Sequence, residues 1–190
     1  PKPFHDESVL EHTAQSMDRA AALHDDFPRA ERSTAVWMSL CHDLGKCSTD
    51  PDIWPRHYNH EGRGESAAER LAERLRLSNR LRRAGAMASR HHMNIGRYTE
   101  LRPGTRVDLL EILHKANLVE EMLLATAADG DMDADAAIFT ALRADLSRML
   151  AVELPHKDRG KGPASGGKLR MLRCQALAEG GPDAWPGETS

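Results

Sequence analysis

The apolar positions of this chain recur with the periodicity of α-helices. After a leader at residues 1–7, the segment Ser8 to Glu11 forms a capping box, which predicts a helix from there to about Leu23. The apolar side chains of that helix lie three and four positions apart and place His12 on the inward stripe. Pro28 predicts the start of a second helix, because proline is favoured in the first helical turn. This second helix is apolar on nearly all sides near its end, which is typical of a buried central helix.

Two amphipathic helices are predicted next. The first runs from Ala67 to Leu77, and Ser78 caps the second. The inward seam of the second helix consists of residues at four-three spacing, namely Leu77, Leu81, Ala84, Ala88 and His91. Neighbouring residues on a helix face different directions, so the seam selects His91 over His92 as the inward histidine.

The remaining chain divides into further helices and a tail. Residues 105–108 resemble a capping box and predict one long helix to about Ala128, and another helix follows from about Asp133 to Val152. From Pro155 onward Pro, Gly, Lys and Arg dominate, so residues 155–190 are predicted to be a basic, Gly/Pro-rich tail, partly ordered at most, with one short helix. The prediction is a single all-α domain over residues 1–154.

Composition agrees with a helical protein inside the cell. Hydrophobic residues make up 40% of the chain and aromatic residues only 4%, whereas strands enrich aromatic and β-branched residues. The net charge of −3 predicts no strong overall field. The three cysteines form no paired motif, which favours a reducing compartment over a disulfide framework or a structural zinc site. With no signal peptide and no apolar run approaching the roughly 18 residues of a membrane span, we predict a cytoplasmic protein.

The strongest chemical signal is the stretch from Trp37 to Lys46. An apolar run ends there in His42 and Asp43, and burying this pair is costly unless a partner satisfies it. A divalent cation is a natural partner for an imidazole and a carboxylate. We expect Gly45 to take the left-handed turn that ends the helix, which leaves Lys46 close enough to meet an anion. The alternative is a capped helix end with a surface His-Asp pair.

Other polar residues are predicted to join this pair. Helical bundles build metal sites from facing side chains, so inward His12, the His42-Asp43 pair and a carboxylate on a later helix together predict a metal site. His60 and His91 could add a second ion or a phosphate contact. A lone inward histidine is, however, more often a hydrogen-bonded core residue than a ligand.

The motifs together resemble a known family, the HD superfamily of metal-dependent phosphohydrolases. They are most similar to the HD domain of bacterial tRNA nucleotidyltransferases, the multifunctional CCA-adding proteins. The resemblance covers about residues 8–130 and rests on Leu40 to Lys46, Trp54 to His57, His60-Glu61, Gly64, His91, Glu100 to Pro103, Leu123 to Ala125 and Ala128-Asp129. It implies an HD-domain helical bundle with phosphodiesterase, phosphatase and nucleotidase chemistry on nucleotides.

This chain departs from the pattern of that family at two places. Gly62 and Arg63 stand where a histidine is usual, and residues 115–117 end in Asn117 where that branch usually has an aspartate. Asn117 and Asp129 are too far apart on a straight helix to bind the same ion. Because a carboxylate is the better ligand, we expect Asp129 to complete the site.

The resemblance and the motifs give a specific hypothesis. A divalent cation (Mg, Mn, Ni, Fe or Zn) would be held by His12, His42, Asp43 and Asp129. It would activate water and polarise a phosphoryl oxygen of a nucleotide or nucleic-acid-derived phosphate ester. Asp43 could also act as general base, and charge on the phosphate would be balanced by Lys46, His60, His91 and Arg97.

Two alternatives remain open. The chain could be a nucleotide- or RNA-binding regulatory module of HD fold without turnover. The arginine-rich stretch from Arg70 to Arg106 is either a solvated surface paired with glutamates or a contact surface for RNA or DNA. The sequence predicts no particular oligomeric state.

Overall fold

The computed structural model describes residues 9–50, 52, 54, 56–130 and 132–180, with the side chains of 133 and 134 left aside. These residues form α-helices and short 3-10 turns without any strand, so the predicted all-α fold is confirmed. Within this part of the chain, no helix is both long and apolar enough to span a bilayer. The helices are α1 (Val9–Ala22), α2 (Arg32–Cys41), α3 (His60–Arg74), α4 (Asn79–Gly96), α5 (Pro103–Ala116), α6 (Val119–Asp129), α7 (Met132–Ala151) and α8 (Pro163–Glu179).

The chain separates into two compact units. The first comprises Pro1–Gly96 and Ala116–Asp135, and the second comprises Arg97–Lys115 and Ala136–Ser190. In the first unit α2 packs against α1, α4 and α6, while α3 packs along α4 and against the 3-10 turn Leu44–Ser48. Met38 and Cys41 of α2 have no exposed surface, so the prediction of a buried central helix is confirmed.

Helix α2 begins later than its proline suggested. The prediction that Pro28 opens this helix is wrong, because Pro28 lies in a turn and α2 starts at Arg32. The carboxylate of Glu31 caps α2 by accepting hydrogen bonds from the backbone N–H groups of Ser33 and Thr34. Hydrogen bonds from these two residues lower the pKa of Glu31 to about 2, because they stabilise the ionised form.

Gly45 is required by close packing and not by a left-handed turn. The prediction of a left-handed Gly45 is wrong, because this residue is not among those with positive φ. A Cβ on Gly45 would lie 1.8 Å from the carbonyl oxygen of His60, and a Cβ on Gly64 would lie 2.0 Å from Ser89 Oγ. Both glycines therefore allow the turn Leu44–Ser48 and helices α3 and α4 to approach closely, which brings His60 near Asp43.

The long helix predicted to continue to Ala128 is interrupted. Asn117 adopts a left-handed conformation with φ of 53°, so α5 ends at Ala116 and α6 starts at Val119. Asparagine tolerates this conformation better than most residues, which explains why the chain turns here. Asp129 therefore stands at the end of a separate helix, α6.

In the second unit, a buried carboxylate joins α7 to the turn before α5. Asp145 is 2% exposed and accepts hydrogen bonds from Tyr98 Oη at 3.0 Å, Arg106 at 3.3 Å and Arg148 at 3.0 Å. Burial, and then the charge of Asp145, raise the pKa of Tyr98 above its usual value. Asp145 thus connects these segments, and its two arginine partners remain positively charged.

Helix α8 lies in the segment predicted as a tail. Its length of 17 residues exceeds the short helix expected there. Arg170 pairs with both oxygens of Asp108 at 2.6 and 2.7 Å, and Arg173 pairs with Glu111 at 2.5 Å. The division of the chain at residue 154 stays a prediction.

The packing of Gly45 gives a test of the fold around the turn. We expect Gly45→Ala to destabilise the protein by at least about 3 kcal/mol, at the upper end of overpacking costs, because the new methyl group meets backbone. Gly96→Ala is the control, since a Cβ there meets nothing within 4 Å, and it should leave stability unchanged or raise it by up to about 1 kcal/mol. Urea unfolding followed by circular dichroism measures both. Equal stabilities of the two variants would contradict this account of the turn.

Candidate metal centre

Three helices place the first group of polar side chains together. His12 on α1 has its Nε2 atom 2.7 Å from Asp129 Oδ1 at the end of α6. His42 follows α2, and its Nε2 atom lies 3.2 Å from Asp129 Oδ1. Asp43 Oδ2 lies 3.3 Å from His42 Nε2 and 3.9 Å from His12 Nε2. Residues far apart in sequence thus direct two nitrogens and two oxygens toward one point.

A second group shares the carboxylate of Asp43. Its other oxygen, Oδ1, lies 3.7 Å from His60 Nε2 on α3 and 3.6 Å from His92 Nε2 on α4. The two Nε2 atoms are 3.3 Å apart. Asp43 therefore belongs to both groups, with one oxygen in each.

Backbone contacts fix which nitrogen of each ring faces the cluster. The Nδ1 atoms of His42, His60 and His92 lie 2.6, 2.9 and 3.0 Å from main-chain carbonyl oxygens. A carbonyl oxygen only accepts, so in each ring Nδ1–H is the donor. In the neutral ring Nε2 then carries the lone pair, and this is the arrangement that histidine ligands of metals have.

Two buried atoms at the centre have no hydrogen-bond partner. His42 and Asp43 are 3% and 2% exposed, yet His42 Nε2 and Asp43 Oδ1 are unsatisfied. Asp129 Oδ1 is near His42 Nε2, but the contact lacks the geometry of a hydrogen bond. Leaving such atoms unpaired is costly.

A divalent cation fits this donor set. Imidazole nitrogens and carboxylate oxygens bind such ions at about 2.0–2.2 Å, so neighbouring ligand atoms at right angles lie about 3 Å apart. The nitrogen–oxygen separations within the first group are 2.7 to 3.9 Å. The residues present therefore match the ion that the donor chemistry implies.

The electrostatics of the cluster favour positive charge at its centre. Burial alone would lower the pKa of His42, but the close negative charges of Asp129 and Asp43 raise it to about 10. Burial would likewise raise the pKa of Asp43 and Asp129, yet their cationic neighbours hold both well below the usual range. A proton and a metal ion would compete for this position, so acid should weaken metal binding.

The structure brings most of the predicted site residues together. They are His12, His42, Asp43, Asp129, His60 and Lys46, whose Nζ lies 2.5 Å from Asp43 Oδ2. Asn117 is exposed and its carbonyl oxygen accepts a hydrogen bond from Arg80, so Asp129 and not Asn117 reaches the cluster. Arg97 belongs to the other compact unit, and its role stays a prediction.

The inward histidine of α4 is His92, which corrects the prediction of His91. His91 is half-buried, whereas His92 is 9% exposed and reaches Asp43. The predicted seam ran through Ala84 and Ala88, which are indeed buried, but the closely packed face of α4 also includes Gly85 and Ser89 and continues to His92. A Cβ on Gly85 would lie 2.8 Å from Cys41 Sγ on α2. The spacing of Gly85, Ser89 and His92 is the sequence signal that could have identified this face.

Comparison with known proteins agrees with this geometry. The HD domain family matches residues 9–130, which include every residue of both groups. Similar curated proteins are the multifunctional CCA proteins of Alkalilimnicola ehrlichii (37% identity; 68% of this chain, 31% of the relative), Methylococcus capsulatus (36%; 87% and 40%) and Halorhodospira halophila (33%; 88% and 41%). This chain thus spans only about a third to two fifths of their length. No solved structure matches.

Metal binding to the cluster can be measured directly. Adding Mn²⁺ or Ni²⁺ to chelator-treated protein should raise its melting temperature, since an ion at 100 times its Kd stabilises the folded state by about 2.7 kcal/mol. Asp129→Asn should remove most of this increase, because it replaces an anionic ligand with a neutral one.

His114→Ala is the matched control, because His114 is an exposed histidine outside both groups. It should keep the full increase in calorimetry or dye-based melting. An increase that survives Asp129→Asn would show that the ion binds elsewhere.

Proposed function

Because this chain belongs to the HD domain family of metal-dependent phosphohydrolases, we propose that it hydrolyses phosphate esters of nucleotides or of nucleic-acid origin. The observation that carries the proposal is the pair of buried, unpartnered atoms His42 Nε2 and Asp43 Oδ1. They stand where imidazoles with fixed tautomers and two carboxylates converge. An arrangement of this kind is explained by ion binding more readily than by fold stability alone.

The first group would hold the catalytic ion through His12, His42, Asp43 and Asp129. When bound, such an ion supplies an activated water and polarises a phosphoryl oxygen. Asp43 is better supported as a ligand than as the general base that the sequence also suggested. Its pKa lies well below the usual range, which makes its carboxylate a weak base near neutral pH.

The second group has two candidate roles, a second ion or a contact to phosphate. Burial lowers the pKa of His92, so its imidazole is neutral at neutral pH and its Nε2 is free to act as a ligand. With Asp43 Oδ1 also unsatisfied, we favour a second cation held by Asp43, His60 and His92. Elemental analysis after saturation would then find two ions per chain.

Lys46 would neutralise charge on the substrate. Its side chain is 28% exposed while its Nζ atom touches the carboxylate of Asp43, so it lies at the edge of the cluster. From there an ammonium group can balance negative charge that develops on a phosphate.

A substrate of nucleotide origin is supported by the resemblance to the HD domains of tRNA nucleotidyltransferases. The similarity to multifunctional CCA proteins supports it as well. The substrate itself, contact with RNA and a cytoplasmic location stay predictions.

Hydrolysis gives the primary test. In a screen with added divalent ions, the protein should cleave bis(p-nitrophenyl) phosphate, p-nitrophenyl phosphate or a 2′,3′-cyclic nucleotide. His42→Ala and Asp43→Ala should each reduce the rate to background, because each removes a ligand, while circular dichroism remains that of a helical protein. Retained activity in both variants would refute the mechanism. A wild-type protein that binds metal but hydrolyses none of these esters would favour the regulatory module.

Adjacent histidines on α4 provide a matched pair. His92→Ala should lower kcat/KM about a hundredfold, because it removes a ligand of the proposed second cation, whose charge would stabilise the transition state. His91→Ala changes the neighbouring residue of the same helix and should have little effect. The reverse order would restore the original sequence prediction of His91.

A further inference from the structure

A groove beside the metal centre is lined by arginines. It has a volume of about 820 Å³ and lies between the turn Leu44–Ser48 and helix α3, with Arg90 of α4 on one side. Arg63 and Arg70 also line it, and none of the described residues that line it is acidic. The groove therefore offers a concentration of positive charge to an anionic partner.

The arginines of the groove differ from others in the same stretch. Arg80 pairs with Glu121 at 2.7 Å and Arg82 with Glu73 at 3.3 Å, so these two serve contacts within the protein. Arg90 comes no closer than 3.8 Å to Glu65, which is beyond hydrogen-bond distance, and Arg70 is exposed. The last two guanidinium groups retain donors for a ligand.

Arg63 fixes the shape of the groove. Its guanidinium donates hydrogen bonds to Ser48 Oγ at 3.1 Å, to the carbonyl oxygen of Tyr58 at 2.7 Å and to Thr49 Oγ1 at 3.0 Å. It thus ties the loop before α3 to the turn after Asp43. The wall of the groove is therefore built by the fold before any ligand arrives.

Exposed aromatic side chains stand on the same loop. Tyr58, which directly precedes the groove residue Asn59, is 63% exposed, and Trp54 is 61% exposed. Trp54 is held by a hydrogen bond from its indole N–H to the carbonyl oxygen of Thr49. Positively charged grooves flanked by aromatic faces are how proteins bind single-stranded nucleic acids, because the cations follow the phosphates and the bases stack.

The groove is also continuous with the metal centre. The turn that forms one wall starts directly after Asp43, and the groove residues Asn59 and Gly62 flank His60 in sequence. A strand lying in the groove would thus have its next phosphate close to the catalytic ligands.

We propose that this groove binds the backbone of a single-stranded RNA and leads its terminal phosphate to the metal centre. Consecutive phosphates of the RNA would contact Arg70 and Arg90, and an unpaired base would stack on Tyr58. Guidance of the RNA to the metal centre rests on the proposed function. Binding of the RNA in the groove requires neither hydrolysis nor a bound ion.

The test measures binding of a fluorescein-labelled 12-nucleotide single-stranded RNA by anisotropy, in the presence of EDTA. The double variant Arg70→Gln/Arg90→Gln should weaken binding about tenfold or more at low salt, because it removes two charge-assisted contacts. The slope of log K against log salt should become shallower by about 1.4, since each phosphate contact on a single strand contributes about 0.7.

A charge-matched control distinguishes binding in the groove from nonspecific electrostatic attraction of the RNA. Arg74→Gln/Arg83→Gln removes the same charge from exposed positions of α3 and α4 that do not line the groove, and it should leave binding nearly unchanged. Tyr58→Ala should weaken single-strand binding while leaving binding of the corresponding duplex unaltered. Equal losses in both double variants, or no binding by the wild type at low salt, would overturn the proposal.

Cys47 supplies an independent readout because it is exposed and lines the groove. Cys41 is buried and burial raises its pKa to about 12, so it stays unreactive. In a Cys174→Ser background, the RNA should slow maleimide labelling of Cys47, and unchanged labelling under saturating RNA would refute the groove as its site. A wild-type protein that binds the RNA in the groove but does not hydrolyse bis(p-nitrophenyl) phosphate would refute the proposed hydrolysis and leave the groove supported.

Discussion

The carboxylate of Asp43 is the constraint on which the first unit depends. A buried anion needs partners, and here it is met by imidazoles from several helices and by the ammonium group of Lys46. Those partners arrive only if α1, α3 and α4 all lie close to the end of α2, and α6 must lie there too for Asp129 to meet the same histidines. Three features bring these side chains together. They are the close approach at Gly45, the separate helix α6 and the small-residue face of α4.

The two units show contrasting solutions to the same electrostatic problem. Asp145 is also buried, but two guanidinium groups and a tyrosine satisfy it. Guanidinium stays charged at any physiological pH, so that network is complete as it stands. Asp43 is surrounded mainly by imidazoles, which are neutral or charged according to their surroundings. A buried carboxylate with imidazole partners is consequently the one suited to exchange a proton for a metal ion.

The sequence predicted those parts of the molecule whose signal is local. The His42-Asp43 pair and the inward stripe bearing His12 follow from a short motif and from helical spacing, and Asp129 followed from preferring a carboxylate over the amide of Asn117. It failed where the outcome depends on contacts between segments. His92 is inward because Gly85 and Ser89 lie on the face of α4 that packs closely against its neighbours, whereas the predicted seam through Ala84 and Ala88 led to His91. Likewise, the role of Gly45 follows from tertiary packing that spacing along one helix does not report, and the left-handed Asn117 interrupts a helix that spacing alone would continue.

The main-chain carbonyls that hold Nδ1 of His42, His60 and His92 have a consequence for the binding of the proposed ion. Each ring is oriented by its own helix or loop and not by the cation, and the surrounding helices are held by buried Ala, Leu and Met side chains. The ligands therefore do not need an ion to take up this orientation, unlike zinc fingers, whose chain collapses only around the metal. We therefore expect a chelator to remove the proposed ion without unfolding the protein, and the identity of that ion to depend on which divalent metals the surroundings supply.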